Sequence, residues 1–168
     1  MSEKKYLVVD CETTGLRSFE SKITCICAKD NEDNWFMEAG SDEKEILEKF
    51  FLFVSGYDNL VSANGKDFDI PFILIRAYIN NIPHHFAIDL IWKKHFDIIN
   101  DITSYRISLD NLARLFCFDT KTGNGLKAIQ LYNEAKYSEL VDYCKNDVVL
   151  TEKVFLKWRE LKNGNQGI

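Results

Sequence analysis

The segment VVDCETTGL at 8–16 places two acids at the end of a run that otherwise belongs in a protein interior. Residues 4–11 are largely apolar and β-branched and stop at the turn-prone TTG of 13–15, the pattern of a buried strand. Side chains alternate faces along a strand, so Asp10 and Glu12 share one face and Cys11 takes the other. Two carboxylates there repel and desolvate each other unless cations sit between them. Taken alone, the pair reads equally as an ordinary acidic strand exit with Glu12 solvated.

The rest of the chain supplies partners for that strand. Residues 23–28 alternate as a second strand, 31–34 form a polar turn and 35–38 a third strand, giving an antiparallel meander. Ser41 reads as an N-cap before an acidic first turn. The helix it opens carries Ile46, Leu47, Phe50, Phe51 and Val54 at helical spacing and stops at Gly56. Residues 60–63 suit a short fourth strand. A helix begins at Asp69, because Pro71 fits only the first helical turn. Residues 86–90 read as a fifth strand or short extended piece, and the pattern assigns nothing over 95–107. Ser108 caps a helix through Phe116, and a long final helix spans about 137–161. This order predicts an α/β fold: a mixed five-stranded sheet with helices on both faces.

With 168 residues, 46% hydrophobic and 28% charged, the chain suits one domain. We expect it over residues 1–162, with a frayed tail at 163–168. A net charge of −5 argues against a sequence-independent duplex binder, which needs a basic face. The five cysteines are odd in number and contain no C-x-x-C, so neither a disulfide frame nor a zinc knuckle is expected. The opening residues lack a signal peptide's apolar region, and no apolar run approaches membrane-spanning length. A cytoplasmic protein with no membrane partner is the expectation. His84, His85 and His95 lack metal-ligand spacing and read as surface or strand-end residues. Trp35, Trp92 and Trp158 read as core or partly buried aromatics.

Two further acidic points stand downstream. In NGKDFDIPF at 64–72, Asp69 falls at a helix N-terminus, where the dipole favours an ionised carboxylate. Asp69 or Asp67 also reads simply as the N-cap. In YCKNDVVLT at 143–151, Tyr143 and Asp147 are i and i+4 and share a helical face. Val141, Cys144, Val148 and Val154 mark the neighbouring apolar stripe, so Asp147 borders buried surface, where a charge is costly. Alone it suits a surface Asp–Lys pair; with the other two segments it looks like a metal ligand.

These segments resemble the three motifs of the DEDD 3′–5′ exonuclease superfamily, which has the ribonuclease H-like fold. Asp10 and Glu12 match D-x-E; Asn64, Phe68 and Asp69 match N-x-x-x-F-D; Tyr143 and Asp147 match Y-x-x-x-D. The wording DFDIPF is closest to proofreading domains of family B DNA polymerases and their stand-alone relatives. The likeness spans roughly residues 5–155. The histidine branch of the superfamily needs His at the position of Asp142, so this is the tyrosine branch.

The resemblance implies two-metal hydrolysis at the 3′ end of single-stranded nucleic acid, DNA favoured, releasing 5′-mononucleotides. It implies Mg²⁺ or Mn²⁺ held by Asp10, Glu12, Asp69 and Asp147, a ligand set suited to hard cations. Asp10 would bridge both ions and Tyr143 would orient the attacking water. Thr13 through its backbone N–H, Leu16 as a wedge, Phe68 by stacking and Asn64 by hydrogen bonding would grip the terminal nucleotides. For Leu16 and Phe68, core packing is the equal alternative. Lys121 and Lys127 flank the GNG of 123–125 and suit either phosphate contacts or plain solvation. An exoribonuclease, or a non-catalytic adaptor in a replication or repair assembly with a polymerase partner, are the competing readings.

Overall fold

The computed structural model describes residues 5–120 and 125–164. Three strands, β1 (Leu7–Thr13), β2 (Ile23–Asp30) and β3 (Trp35–Ala39), form the antiparallel meander expected from their alternation. Strand β4 (Asn59–Ser62) then pairs parallel to β1, and β5 (Lys94–Asp97) parallel to β4. The order across the sheet is β3-β2-β1-β4-β5. Helices cover both faces, as a ribonuclease H-like α/β fold requires.

The alternation of β1 separates two cores. Leu7, Val9 and Cys11 face the layer formed by α1 (Glu43–Val54) and α2 (Asp69–Ile79). Tyr6 and Val8 face the opposite layer, dominated by α7 (Tyr137–Gly164), with α5 (Leu109–Leu115) and α6 (Gly125–Asn133) beside it. Asp10 and Glu12 therefore continue the row that points at α7. Just past Glu12 the ladder slips: Glu12 pairs with Cys25 but Thr13 with Ile23, leaving Thr24 as a bulge. The Thr24 hydroxyl donates to the Glu12 carbonyl at 3.0 Å, fixing the strand end where bulges commonly re-aim side chains.

Several local expectations change. Asp42, not Ser41, caps α1, its side chain accepting from the Glu45 N–H. Residues 86–90 are not a strand. They lie in α3 (His84–Trp92), where Ala87 and Leu90 are buried three residues apart, a helical rather than alternating spacing. The fifth strand is instead β5, inside the unassigned stretch, followed at once by α4 (Ile98–Thr103). Trp92 is 81% exposed rather than core, whereas Trp35 and Trp158 pack against the α7-side core. Helix α7 runs to Gly164, past the expected end near 161; residues 165–168 of the expected tail lie outside the described residues. Among the described residues, no helix is long and apolar enough to cross a membrane.

Candidate active site

The strands β1 and β4 pair only through Leu7–Leu60 and Val8–Val61 and part beyond that point. Their divergence opens a crevice at the C-terminal ends of parallel strands, the usual location for ligands in such sheets. The N-terminus of α2 fills one side of it. Asp69, the first residue of α2, accepts the Cys11 backbone N–H at 2.9 Å with its Oδ1, joining the second motif to the first. This use explains why neither Asp69 nor Asp67 caps α2: the cap position is Phe68, with no side-chain cap bond.

The loop before α2 is held as firmly. Asn64 is left-handed, with φ 65°, and a Cβ at Gly65 would collide with the Ser62 side chain. Asp97, fully buried at the end of β5, accepts the Asn64 N–H (2.9 Å) and Ile99 N–H (3.0 Å) on Oδ1 and the Lys66 N–H (2.9 Å) on Oδ2. Sequence reasoning missed Asp97. Its one signal was an Asp immediately before the helical IIND, an N-cap pattern.

The third motif arrives on α7. Cys144 donates its thiol hydrogen to Asp10 Oδ2 (3.3 Å) and to the Asp10 carbonyl (3.5 Å), seating the helix on β1. Burial holds this thiol well above its usual pKa, so it stays protonated and donates. Oxygens of Asp10 and Glu12 and the Cys144 sulfur all lie within 4.8 Å of one another. Tyr143, one residue before Cys144, and Asp147, three residues after it, come close enough to these two acids for their charges to interact.

The electrostatics show how closely these groups converge. Burial first, then the charges of Asp69, Glu12 and Asp147, push the Asp10 carboxyl well above the ordinary range. Burial, then Asp147 and Asp69, push Glu12 up to about 8. Asp69 rises only to about 6, because its hydrogen bonds with Cys11 oppose the cost of burial. Burial and then the charges of Asp147, Glu12 and Asp10 raise the Tyr143 phenol, so it is protonated at neutral pH. Four carboxylates from three distant segments thus share one half-buried site, which a fold tolerates when cations offset the repulsion.

The remaining sequence candidates surround this cluster unevenly. The Thr13 hydroxyl donates to the Gly15 carbonyl (2.8 Å) and shapes the loop carrying Leu16, which is 85% exposed and not core. Arg76, itself paired with Glu43 at 2.6 Å, donates to the Ser18 carbonyl and ties that loop down. Phe68 is half-buried, packing on the α2-side core and on Phe72 at 5.4 Å, while also lining a cleft beside Asn64. Lys127 lies over the Tyr143 ring at 6.0 Å. Lys121 lies outside the described residues.

A family model described as a predicted 3′–5′ exonuclease related to the exonuclease domain of PolB matches residues 18–166, a span that contains Asp69, Tyr143 and Asp147. The chain is 32% identical over 105 residues, 61% of its length, to "DNA polymerase 1" of Sulfurisphaera ohwakuensis. It is 30% identical over 87 residues, 51% of its length, to "DNA polymerase 1" of Sulfolobus acidocaldarius. In each case the match spans 10% of the polymerase. The fold superimposes on the family B DNA polymerase of the hyperthermophilic archaeon Pyrobaculum calidifontis with a TM-score of 0.78. That superposition covers 94% of this chain and 24% of the polymerase, at 18% identity. The chain belongs to the family of predicted 3′–5′ exonucleases related to the exonuclease domain of PolB.

Proposed function

We propose that the protein removes nucleotides one at a time from the 3′ end of single-stranded DNA, releasing 5′-mononucleotides. The observation that carries this reading is the convergence of Asp10, Glu12, Asp69 and Asp147 with Tyr143 at the end of β1. The donor set fits hard divalent cations: its ligating oxygens are carboxylate, their charges repel, and the adjacent Cys144 is a protonated hydrogen-bond donor rather than a competing thiolate. Asp10, Glu12, Asp69 and Asp147 would hold two Mg²⁺ or Mn²⁺ ions. When bound, such ions supply Lewis-acid activation of water and stabilise the departing 3′-oxygen.

The chain's own residues then position the reactants. The Tyr143 phenol, protonated and beside Glu12 and Asp147, orients the attacking water without taking its proton. A P–O bond forms to that water, which gives up a proton to solvent, and the P–O3′ bond breaks with its oxygen taking a proton from solvent, leaving a nucleoside 5′-monophosphate and a new 3′-hydroxyl. Leu16, exposed on a loop anchored at both ends, wedges against the terminal base. The Thr13 backbone, Asn64 and Phe68 line the path of the strand, and Lys127 stands near enough to Tyr143 to meet a phosphate. The polymerase relatives support DNA over RNA. We extend the proposal to a cytoplasmic replication or repair setting, with residues 1–162 acting as one domain.

Digestion of matched single-stranded DNA and RNA in Mg²⁺, in Mn²⁺ and in excess chelator tests the reading. We expect metal-dependent digestion with DNA preferred. Full activity in chelator refutes the metal site, and a preference for RNA refutes the substrate.

A further inference from the structure

Beneath α7, three cysteines meet. Strand β2 runs antiparallel to β1 with Cys25 opposite Glu12 and Cys27 opposite Asp10, so both thiols join the row that faces α7. Cys144 descends from α7 onto the same spot. All three residues are buried, and their sulfurs lie within 4.8 Å of one another. The spacing along the chain conceals the group, because C-x-C supplies two members and the third stands near the other end of the sequence.

The distances suit a metal better than a disulfide. Cys25 Sγ and Cys27 Sγ are 3.8 Å apart. Two thiolates on one tetrahedral ion, with metal–sulfur bonds of ~2.3 Å, stand ~3.8 Å apart, whereas a disulfide draws its sulfurs to ~2.05 Å. Two residues along a strand also span ~6.7 Å, the upper end of the range for bridged Cα atoms, so the C-x-C pair resists closing on itself. A fourth corner is present. Asp10 Oδ2 lies 3.3 Å from Cys144 Sγ, against about 3.5 Å for an oxygen and a sulfur sharing such an ion. Cysteine also serves as a small apolar core residue, and Cys11 does so on the other face of β1, beside Leu7 and Val9. The α7-side trio differs because its sulfurs converge on one another and on a carboxylate.

We propose that Cys25, Cys27 and Cys144 form a binding site for one thiophilic d10 cation of the Zn²⁺ or Cd²⁺ type, with Asp10 as the fourth ligand. Hard Mg²⁺ and Mn²⁺ leave the thiols protonated. A soft ion displaces one proton from each thiol to solvent as the metal–thiolate bonds form. Its binding removes the Cys144 donor from Asp10 and turns that carboxylate away from Glu12, Asp69 and Asp147. Occupancy therefore opposes the nuclease. That consequence rests on the exonuclease reading above; the site itself does not.

Titration of the full chain with Cd²⁺, in a non-thiol reductant, reads the site through cadmium–thiolate charge-transfer absorption. We expect saturation at one ion per chain, no such band with Mg²⁺, and an unchanged band in Cys117→Ser, which removes the exposed cysteine. Cys27→Ala should weaken Cd²⁺ binding at least roughly tenfold, since even outer-shell partners of a metal contribute that much. Asp10→Asn should weaken it while keeping the thiolate band. Thermal melts in chelator verify the fold of each variant, and the wild-type and Cys117→Ser titrations decide the site even if Cys27→Ala fails to fold. No band in wild type, or a band lost with Cys117→Ser, overturns the site; wild-type affinity in Asp10→Asn overturns the fourth ligand. In Mg²⁺-driven digestion of single-stranded DNA, one equivalent of Cd²⁺ should inhibit wild type, and Cys27→Ala should need at least roughly tenfold more. Equal inhibition of both would put the ion on the carboxylates alone and overturn the coupling. If wild type digests no DNA, the exonuclease reading falls, while the absorption titration still decides the site.

Discussion

Glu12→Gln isolates the electrostatic strain of the site. In the folded chain, burial and the charges of Asp147 and Asp69 push the Glu12 carboxyl to about 8, whereas an unfolded glutamate titrates near ~4.3. Between those values the folded state binds a proton that the unfolded state lacks. The associated stability is full below about pH 4.5 and is lost as pH rises toward about 8. Integrating one such group to pH 7 gives at most about 3.6 kcal/mol, and partial solvent access narrows the expectation to about 1–3 kcal/mol. Glutamine keeps the shape of the protonated acid and has no charge to lose. In chelator at pH 7, Glu12→Gln should therefore melt higher than wild type, by roughly 2–12 °C at ~2–4 °C per kcal/mol for a domain of this size. At pH 5 the gain should shrink towards zero. In saturating Mn²⁺ the order should reverse, because native-state binding adds roughly 2.7 kcal/mol at a hundredfold excess over Kd and the variant loses a ligand. Paired thermal melts at both pH values, with and without Mn²⁺, are the assay. A variant less stable than wild type in chelator at pH 7, or a gain independent of pH, refutes the reasoning.

Tyr143→Phe should lower turnover at least tenfold while calorimetry shows Mn²⁺ binding nearly unchanged, because only the hydrogen bond to water is lost; an unchanged rate would make Tyr143 a packing residue. A blunt duplex should be digested more slowly than the same single strand, since unpairing its terminus past Leu16 and Phe68 costs on the order of a few kcal/mol; equal rates would show that neither residue receives a frayed end. Asp97→Ala should destabilise the protein by about 3 kcal/mol or more in chemical denaturation, because the buried Ile99 N–H and the partly buried N–H groups of Asn64 and Lys66 lose their acceptor. A loss under about 1 kcal/mol would mean that another group replaces it.

The parts of the fold written most plainly in the sequence are those with strict periodicity. The alternation of β1 placed Asp10 and Glu12 opposite Cys11, and the i, i+4 spacing of Tyr143 and Asp147 put them on one face of α7. The α3 segment misled because FAIDL is apolar enough for a strand; the burial of Ala87 and Leu90 with Ile88 and Ile91 exposed shows the helical period only once the sheet is known. Strand β5 was hidden by its length of four residues and by Lys94 and His95, which look like a turn until paired with β4. In the site, the acids were legible as residue types, but their supports were not. The Cys11 N–H that anchors Asp69 is exposed to it only because β1 and β4 part company, and the role of Asp97 depends on three backbone groups from two elements. Such contacts are set by tertiary geometry, which no local pattern encodes.

The central claim is that the four carboxylates remove nucleotides from a 3′ end. Single-stranded DNA labelled at the 5′ end in one sample and at the 3′ end in another, digested in Mn²⁺ by wild type and by Asp10→Asn, tests it most directly. The account predicts that the 3′ label leaves at once as a mononucleotide, while the 5′-labelled strand shortens through a one-nucleotide ladder. It predicts neither product with Asp10→Asn. Early release of the 5′ label, internal cleavage, or undiminished digestion by the Asp10 variant would contradict it.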